Sequence, residues 1–175
     1  FACSDPQARK AFIDKLQYTR HEAHEVLAVK FFGACTGAIN SPTHTDVQHS
    51  LVQAAEDPHS SPFMQVQALQ ALASLDCPSM EVMRKLHQAP VAERDSWVGE
   101  TKLLVLGALL RRARSCGEDN AETAKMEEEI NKDLMHALNE HDTAAASVLL
   151  FTMGNSGASH HLDTIKLMME RHGTL

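Results

Sequence analysis

The sequence predicts an all-α protein: antiparallel helix pairs stacked into a right-handed α-superhelix, with residues 1–175 as a single helical-array domain. Three observations carry this. Leu, Ala, Met and Val supply the apolar content, aromatics are only 5%, and β-branched runs are missing, so the residue set favours helix over strand. Apolar residues recur at helical spacing along the chain. Polar, Pro and Gly punctuation divides that pattern into units of roughly fifteen to twenty residues, each too short to be stable alone.

The first unit opens at Ser4-Asp5-Pro6, a polar cap followed by proline at the first helical position, and its apolar face is Ala11, Phe12, Ile13 and Leu16. The second runs from about Arg20 to Ala34 with Ala23, Val26, Leu27 and Phe31 at helical spacing, and Ser41-Pro42 closes it and starts the third. That third helix carries Val47, Leu51, Val52 and Ala55 on one side. A loop between two prolines, Pro58 and Pro62, leads to a fourth helix capped at Ser61. Its apolar set (Met64, Val66, Ala68, Leu69, Leu72, Leu75) lies nearly all round, the mark of a well-buried helix.

Asp76-Cys77-Pro78 is expected to end the fourth helix and start the fifth, which Ala89-Pro90 stops. The longest helix is expected over Glu93 to Ser115, ending at Cys116-Gly117, a C-cap signal. A charged helix follows from about Asn120 to Glu140, with Met126, Ile130, Leu134 and Leu138 as its apolar stripe. An Ala-rich helix starts at Asp142 or Thr143 and is expected to break at Met153-Gly154-Asn155-Ser156-Gly157, and Ser159 caps a last one. In that break Gly154 ends the helix, Asn155 tolerates a left-handed conformation and Gly157 permits a tight reversal. Short connections make consecutive helices antiparallel neighbours. A compact bundle of so many helices is less natural than a stack in which each pair buries its inner face on the next.

Composition bounds the function. The chain has 175 residues, 43% hydrophobic and 22% charged, enough for one domain with a real core. Net charge is -7 with histidine neutral, and an acidic chain without a basic stripe argues against nucleic acid as partner. The one basic cluster, Arg111-Arg112-Ala113-Arg114, falls in the last turn of a helix, where cations meet the negative end of its dipole. No run reaches the roughly eighteen apolar residues of a membrane span; Val26 to Ile39 and Leu103 to Leu110 read as buried core. Because it begins with Phe1, the chain is expected to be a fragment or processed part of a larger protein. Its four cysteines, Cys3, Cys35, Cys77 and Cys116, form no C-x-x-C, which removes a zinc ribbon or a thioredoxin motif. They are either free buried thiols of a cytosolic protein or long-range disulfides of a secreted one.

Candidate chemistry is sparse. His21 and His24, three apart on one helix face, could share a metal, although the spacing differs from His-Glu-x-x-His; a surface His-Glu helix without metal is the favoured reading. His160-His161 opens the last helix, where polar residues belong anyway. The remaining histidines are scattered, which suggests solvent-exposed positions, and a pH sensor is an option they leave open. Glu127-Glu128-Glu129 reads as a solvated charge run near a helix N-terminal half. The methionines lie on apolar faces, as core or as a pliable contact surface. No nucleophile elbow, P-loop or dinucleotide fingerprint occurs. No enzyme activity and no cofactor is expected.

Leu103 to Arg171 carries a fuller pattern. A Leu-rich helix, Leu103-Leu104-Val105-Leu106-Gly107-Ala108-Leu109-Leu110, is followed by a break at Cys116 and an acidic helix from Glu127 to Leu138. An apolar helix then ends in Met153-Gly154-Asn155-Ser156-Gly157, and Leu162 to Met169 completes it. This segment resembles the helical domain of the large lipid-transfer proteins: vitellogenin, apolipoprotein B and microsomal triglyceride transfer protein. The family's turn usually reads Leu-Gly-Asn-Ala-Gly, so Met153 and Ser156 are departures. Family members often carry two close cysteines at the break; here Cys116 stands alone, and the resemblance implies Cys77 as a distant disulfide partner.

The resemblance implies a two-layered right-handed superhelix, the horseshoe that in the family braces a lipid-holding β-sheet cavity. It also implies secretion, a non-enzymatic role as scaffold and docking surface, and partners that are other domains or subunits of a larger assembly. Lipid would be reached only through domains outside this chain. The alternative is a HEAT-like protein–protein interaction module of the cytoplasm with no lipid role. A third reading is a metal- or proton-responsive enzyme built on His21 and His24.

Overall fold

A computed structural model describes residues 5–18, 22–34, 45–88, 96–117, 120–159 and 161–172, with side chains described for 5–16, 26–32, 45–88, 96–117, 121–159 and 161–166. Among these residues the chain is all-α, with no strand. The helices are α1 (Pro6–Tyr18), α2 (Glu22–Ala34), α3 (Thr45–Glu56), α4 (Pro62–Ala73) and α5 (Met80–His87), then α6 (Trp97–Ser115), α7 (Asn120–Asn139), α8 (Thr143–Ser156) and α9 (His161–His172). The expected cap at Ser4, the start at Ser41-Pro42, the stop at Ala89-Pro90 and the beginning at Glu93 lie outside the described residues, as do His21, Cys3 and Cys35 and the side chains of His24, Met168 and Met169.

Side-chain caps fix several boundaries by satisfying backbone N–H groups that a first helical turn leaves unpaired. Ser61 accepts from Met64 N at 3.3 Å, with Pro62 at the first helical position. Asp142 accepts from Ala145 N at 3.0 Å. Two boundaries depart from expectation. Helix α5 is capped by Ser79, in extended backbone, and not by the Asp76-Cys77-Pro78 segment. Helix α6 begins at Trp97 because Ser96 is itself an extended N-cap, its hydroxyl accepting from Gly99 N at 3.1 Å. The longest helix is consequently α7 with 20 residues, against 19 for α6.

The expected break within α8 is also corrected. Met153, Gly154 and Asn155 are helical, and the helix runs to Ser156. Only Gly157 is left-handed, at φ 64° and ψ 20°, and its N–H closes on Gly154 O. Asn155 is held inside the helix by its side chain, whose Nδ2 donates to Leu104 O of α6 at 3.3 Å. The last helix starts two residues after Ser159, whose carbonyl accepts from Leu162 N at 3.1 Å.

Packing follows a simple rule. Helices pair as α1 with α2, α3 with α4, α5 with α6 and α7 with α8, and each pair packs on the next through helices two apart in sequence. So α2, α4, α6 and α8 make one row of neighbours, and α1, α3 and α5 another. Helix α7 joins the second row beside α5 through the Arg84–Glu122 ion pair and a 3.4 Å His87–Glu129 contact. The core lies between the rows, with Leu51, Leu69, Leu72, Met83, Leu106, Leu109 and Leu134 fully buried. At one end Phe12 of α1 stacks on Phe31 of α2 with ring centroids 3.9 Å apart. Apolar burial of this kind is the main driving force of the fold.

Candidate functional site

The basic cluster at the end of α6 makes several connections, to the α4–α5 segment, α7 and α8, and they are internal. Arg112 Nη1 donates to Leu75 O at 2.8 Å and lies 3.9 Å from Asp76. Beside it Cys116, the C-cap of α6, is disulfide-bonded to Cys77, with an S–S distance of 2.05 Å and Cα atoms 5.8 Å apart. Together these fasten the α4–α5 connection to the end of α6. Arg114 reaches the other way. Its Nη2 donates to Glu127 of α7 at 2.7 Å and to the carbonyl of Ser156 at the end of α8. One guanidinium thus ties three helices, and it meets the negative end of the α8 dipole. The aliphatic part of Arg111 lies beneath the Gly157 turn.

Glu127 corrects the reading of the glutamate run as solvated. It is 2% exposed, and only Glu128 of the three is fully exposed. A signal for this is present in the sequence: Thr123, Met126, Glu127, Ile130, Leu134 and Ala137 fall at helical spacing on one stripe, and all are buried. A charge on that stripe needs a buried partner, and Arg114 supplies it. Gly107 is a second position missed by the sequence reading. A Cβ there would stand 2.3 Å from the Thr152 carbonyl oxygen, so glycine is what lets α6 and α8 approach.

The histidines divide between partnered and exposed. His49 Nε2 is 2.9 Å from Glu81 and joins α3 to α5, and His87 joins α5 to α7. The His87 side chain is only 18% exposed, which departs from the expectation that the scattered histidines face solvent, and His161, expected as part of the polar start of the last helix, is 3% exposed. Among the described residues no group of three or more His, Cys, Asp or Glu side chains is placed to hold a metal; His21 and the His24 side chain lie outside them. Of the methionines, Met64, Met83, Met126 and Met153 are core, and Met135 is 40% exposed.

Three surface carboxyls titrate below their ordinary value of 4.5. Glu122 is held down chiefly by its hydrogen bond from Arg84, and Glu128 by that from Lys132. At Glu81 some desolvation pushes upward, and the hydrogen bond and charge of His49 with the nearby Lys85 outweigh it. In a shallow hollow lined by Leu16, Gln53, Asp57, Ser60 and Met64, Asp57 accepts from His59 N at 2.9 Å and from the Ser60 hydroxyl at 3.4 Å. No described helix is long and apolar enough to cross a membrane.

Comparison with known protein families, curated proteins and solved structures gives no match for this chain.

Proposed function

We propose that this chain is a non-enzymatic scaffold and docking domain, built as a right-handed superhelix of antiparallel helix pairs and similar to the helical domain of the lipid-transfer proteins named above. The observation that carries the reading is the packing of every second helix side by side, in two rows, with the core between them. An array of this kind offers long faces for other domains and buries its functional polar groups as ties between helices. The Arg112, Arg114 and Cys77–Cys116 connections behave as such ties. The disulfide supports assignment to an oxidising compartment, and with it secretion over the cytoplasmic, HEAT-like alternative. The partners are other domains or subunits of a larger assembly, and lipid is met through them.

The test is mass spectrometry of protein from its native source, alkylated with and without prior reduction. The secreted reading expects Cys77 and Cys116 in a single linked peptide pair before reduction. Four alkylated thiols without reduction would favour the cytosolic module. Solvent extraction followed by lipid analysis of the assembly separates the lipid-linked scaffold from a purely protein-binding one.

A further inference from the structure

The outer faces of the two rows differ in kind. On α5 the exposed positions include Glu81, Arg84 and Lys85, and on α7 they include Lys125, Glu128 and Lys132. That is the ordinary solvent face of a surface helix. The row α2, α4, α6 and α8 is built otherwise. Helices α4 and α8 contain no charged residue at all. Their open faces carry Phe63, 49% exposed, and Phe151, 69% exposed, while α2 adds Leu27 at 59% and α6 adds Trp97 at 60%. Single exposed apolar residues are normal on a protein surface, but here each of four helices that neighbour one another carries one, which implies a cover. Among the described residues the exposed charges of this row are Lys30 and Arg111.

We propose that this face is the contact between two copies of the chain, row against row about a two-fold axis. Area is the first argument. Neighbouring helices lie about 8–10 Å apart and rise about 1.5 Å per residue, so the row presents a face of roughly 700 Å². A stable interface takes about 800 Å² from each partner. Charge is the second. At a net charge of -7 two copies repel, and this row brings to the contact α4 and α8, which carry no charged residue. A two-fold axis running between α4 and α6 sets α2 against α8 of the other copy and α4 against α6. Lys30 and Arg111 then each lie opposite a helix that carries no charge. An anionic lipid surface would instead select Lys and Arg on the apolar face, which α4 and α8 lack.

This inference names the partner of the docking reading and rests on it, but its test is independent of the thiol and lipid measurements, so either can fail alone. Sedimentation velocity of the oxidised full chain, from about 1 to 100 μM, is expected to find a species of twice the 19.2 kDa chain mass. Emission of the single tryptophan, Trp97, is expected to shift to the blue as that species forms. Phe151→Glu and Phe63→Glu are each expected to weaken it roughly tenfold or more with an unchanged circular dichroism spectrum. Trp97→Ser is expected to do the same, and Glu128→Lys on the opposite row to have no such effect. A chain that stays monomeric throughout, or a dimer indifferent to all three aromatic substitutions, overturns the proposal. So does a monomer that floats with neutral phosphatidylcholine vesicles, which would give the face to lipid.

Discussion

Gly107 and Gly154 are expected to respond to the same substitution with opposite sign. Gly107 faces the Thr152 carbonyl at a distance that leaves no room for a methyl group. Overpacking costs typically about 1–3 kcal/mol and the better helix propensity of alanine offsets about 1 of it, which leaves about 0–2 kcal/mol; because the atom met is backbone, Gly107→Ala should destabilise by about 2 kcal/mol, the upper end. Gly154 lies within α8 with nothing within 4 Å of an added Cβ. Gly154→Ala should therefore stabilise by about 0.5–1 kcal/mol. Urea denaturation of both variants checks the pair, and a destabilised Gly154→Ala would restore the sequence reading of that residue as the helix end. Glu127→Ala should cost about 1.5–3 kcal/mol, because it removes the charged hydrogen bond to Arg114, which is partly exposed and keeps its bond to the Ser156 carbonyl; a thermal melt within 2 °C of the parent would contradict that. At this scale the sequence was only partly legible. The Ser61 cap could be read directly and the cap of α8 was narrowed to Asp142 or Thr143, because capping is a local hydrogen bond; the structure selects Asp142. The role of Gly107 could not, because it depends on which helix crosses it.

Helix α5 has only eight residues and keeps its place through ties at both ends and both sides. The disulfide holds the connection that precedes it, closing a loop of sequence separation 39. In the chain-entropy account such a loop is worth about 4 kcal/mol, so reduction or a double Cys77→Ala, Cys116→Ala change should lower stability by about that amount. Denaturation with and without reductant measures it. The ion pairs on its flanks add a pH dependence. The carboxyls of Glu81 and Glu122, and of Glu128 on α7, titrate below their ordinary value in the folded chain. They bind protons more weakly folded than unfolded. Their contribution is therefore fully present above the usual carboxylate range and is lost as pH falls through the lower folded-state values. Unfolding midpoints should be flat from about pH 7 to 5 and decline below about pH 4. A midpoint that rose on acidification there would reverse the assigned sign. The existence of α5 was legible from Met80, Val82, Met83 and Leu86, while its start was not. Asp76-Cys77-Pro78 imitates a helix start, and the disulfide with the Arg112 contacts holds that segment in another conformation.

Across the whole molecule, the all-α character was legible because composition and periodicity both excluded strands. The antiparallel pairs were expected from loop length, since a short connection forces the next helix to turn back on the last, whereas two layers were expected only from the family resemblance. The difference between the rows was visible in part: α4 read as apolar nearly all round, and α8 as an Ala-rich apolar helix. What the sequence did not announce is that both belong to the same row with α6 between them, because neighbour order is a property of tertiary packing. The polar ties follow the same logic. Arg112 and Arg114 sit two residues apart and so point to different neighbours, one towards the disulfide and one towards α7 and α8.

The separation between α2 and α8 tests the layering most directly. Spin labels introduced as unnatural amino acids at the exposed positions Lys30 and Ala144 leave the cysteines intact. With α4 and α6 between their helices, and the doubly labelled chain diluted into excess unlabelled chain so that only pairs within one copy are read, pulsed electron-spin distance measurement should give a single distribution centred at about 25–30 Å, three helix spacings. A distribution centred near one helix spacing, about 10 Å, would put α2 and α8 side by side in a closed bundle and contradict the account.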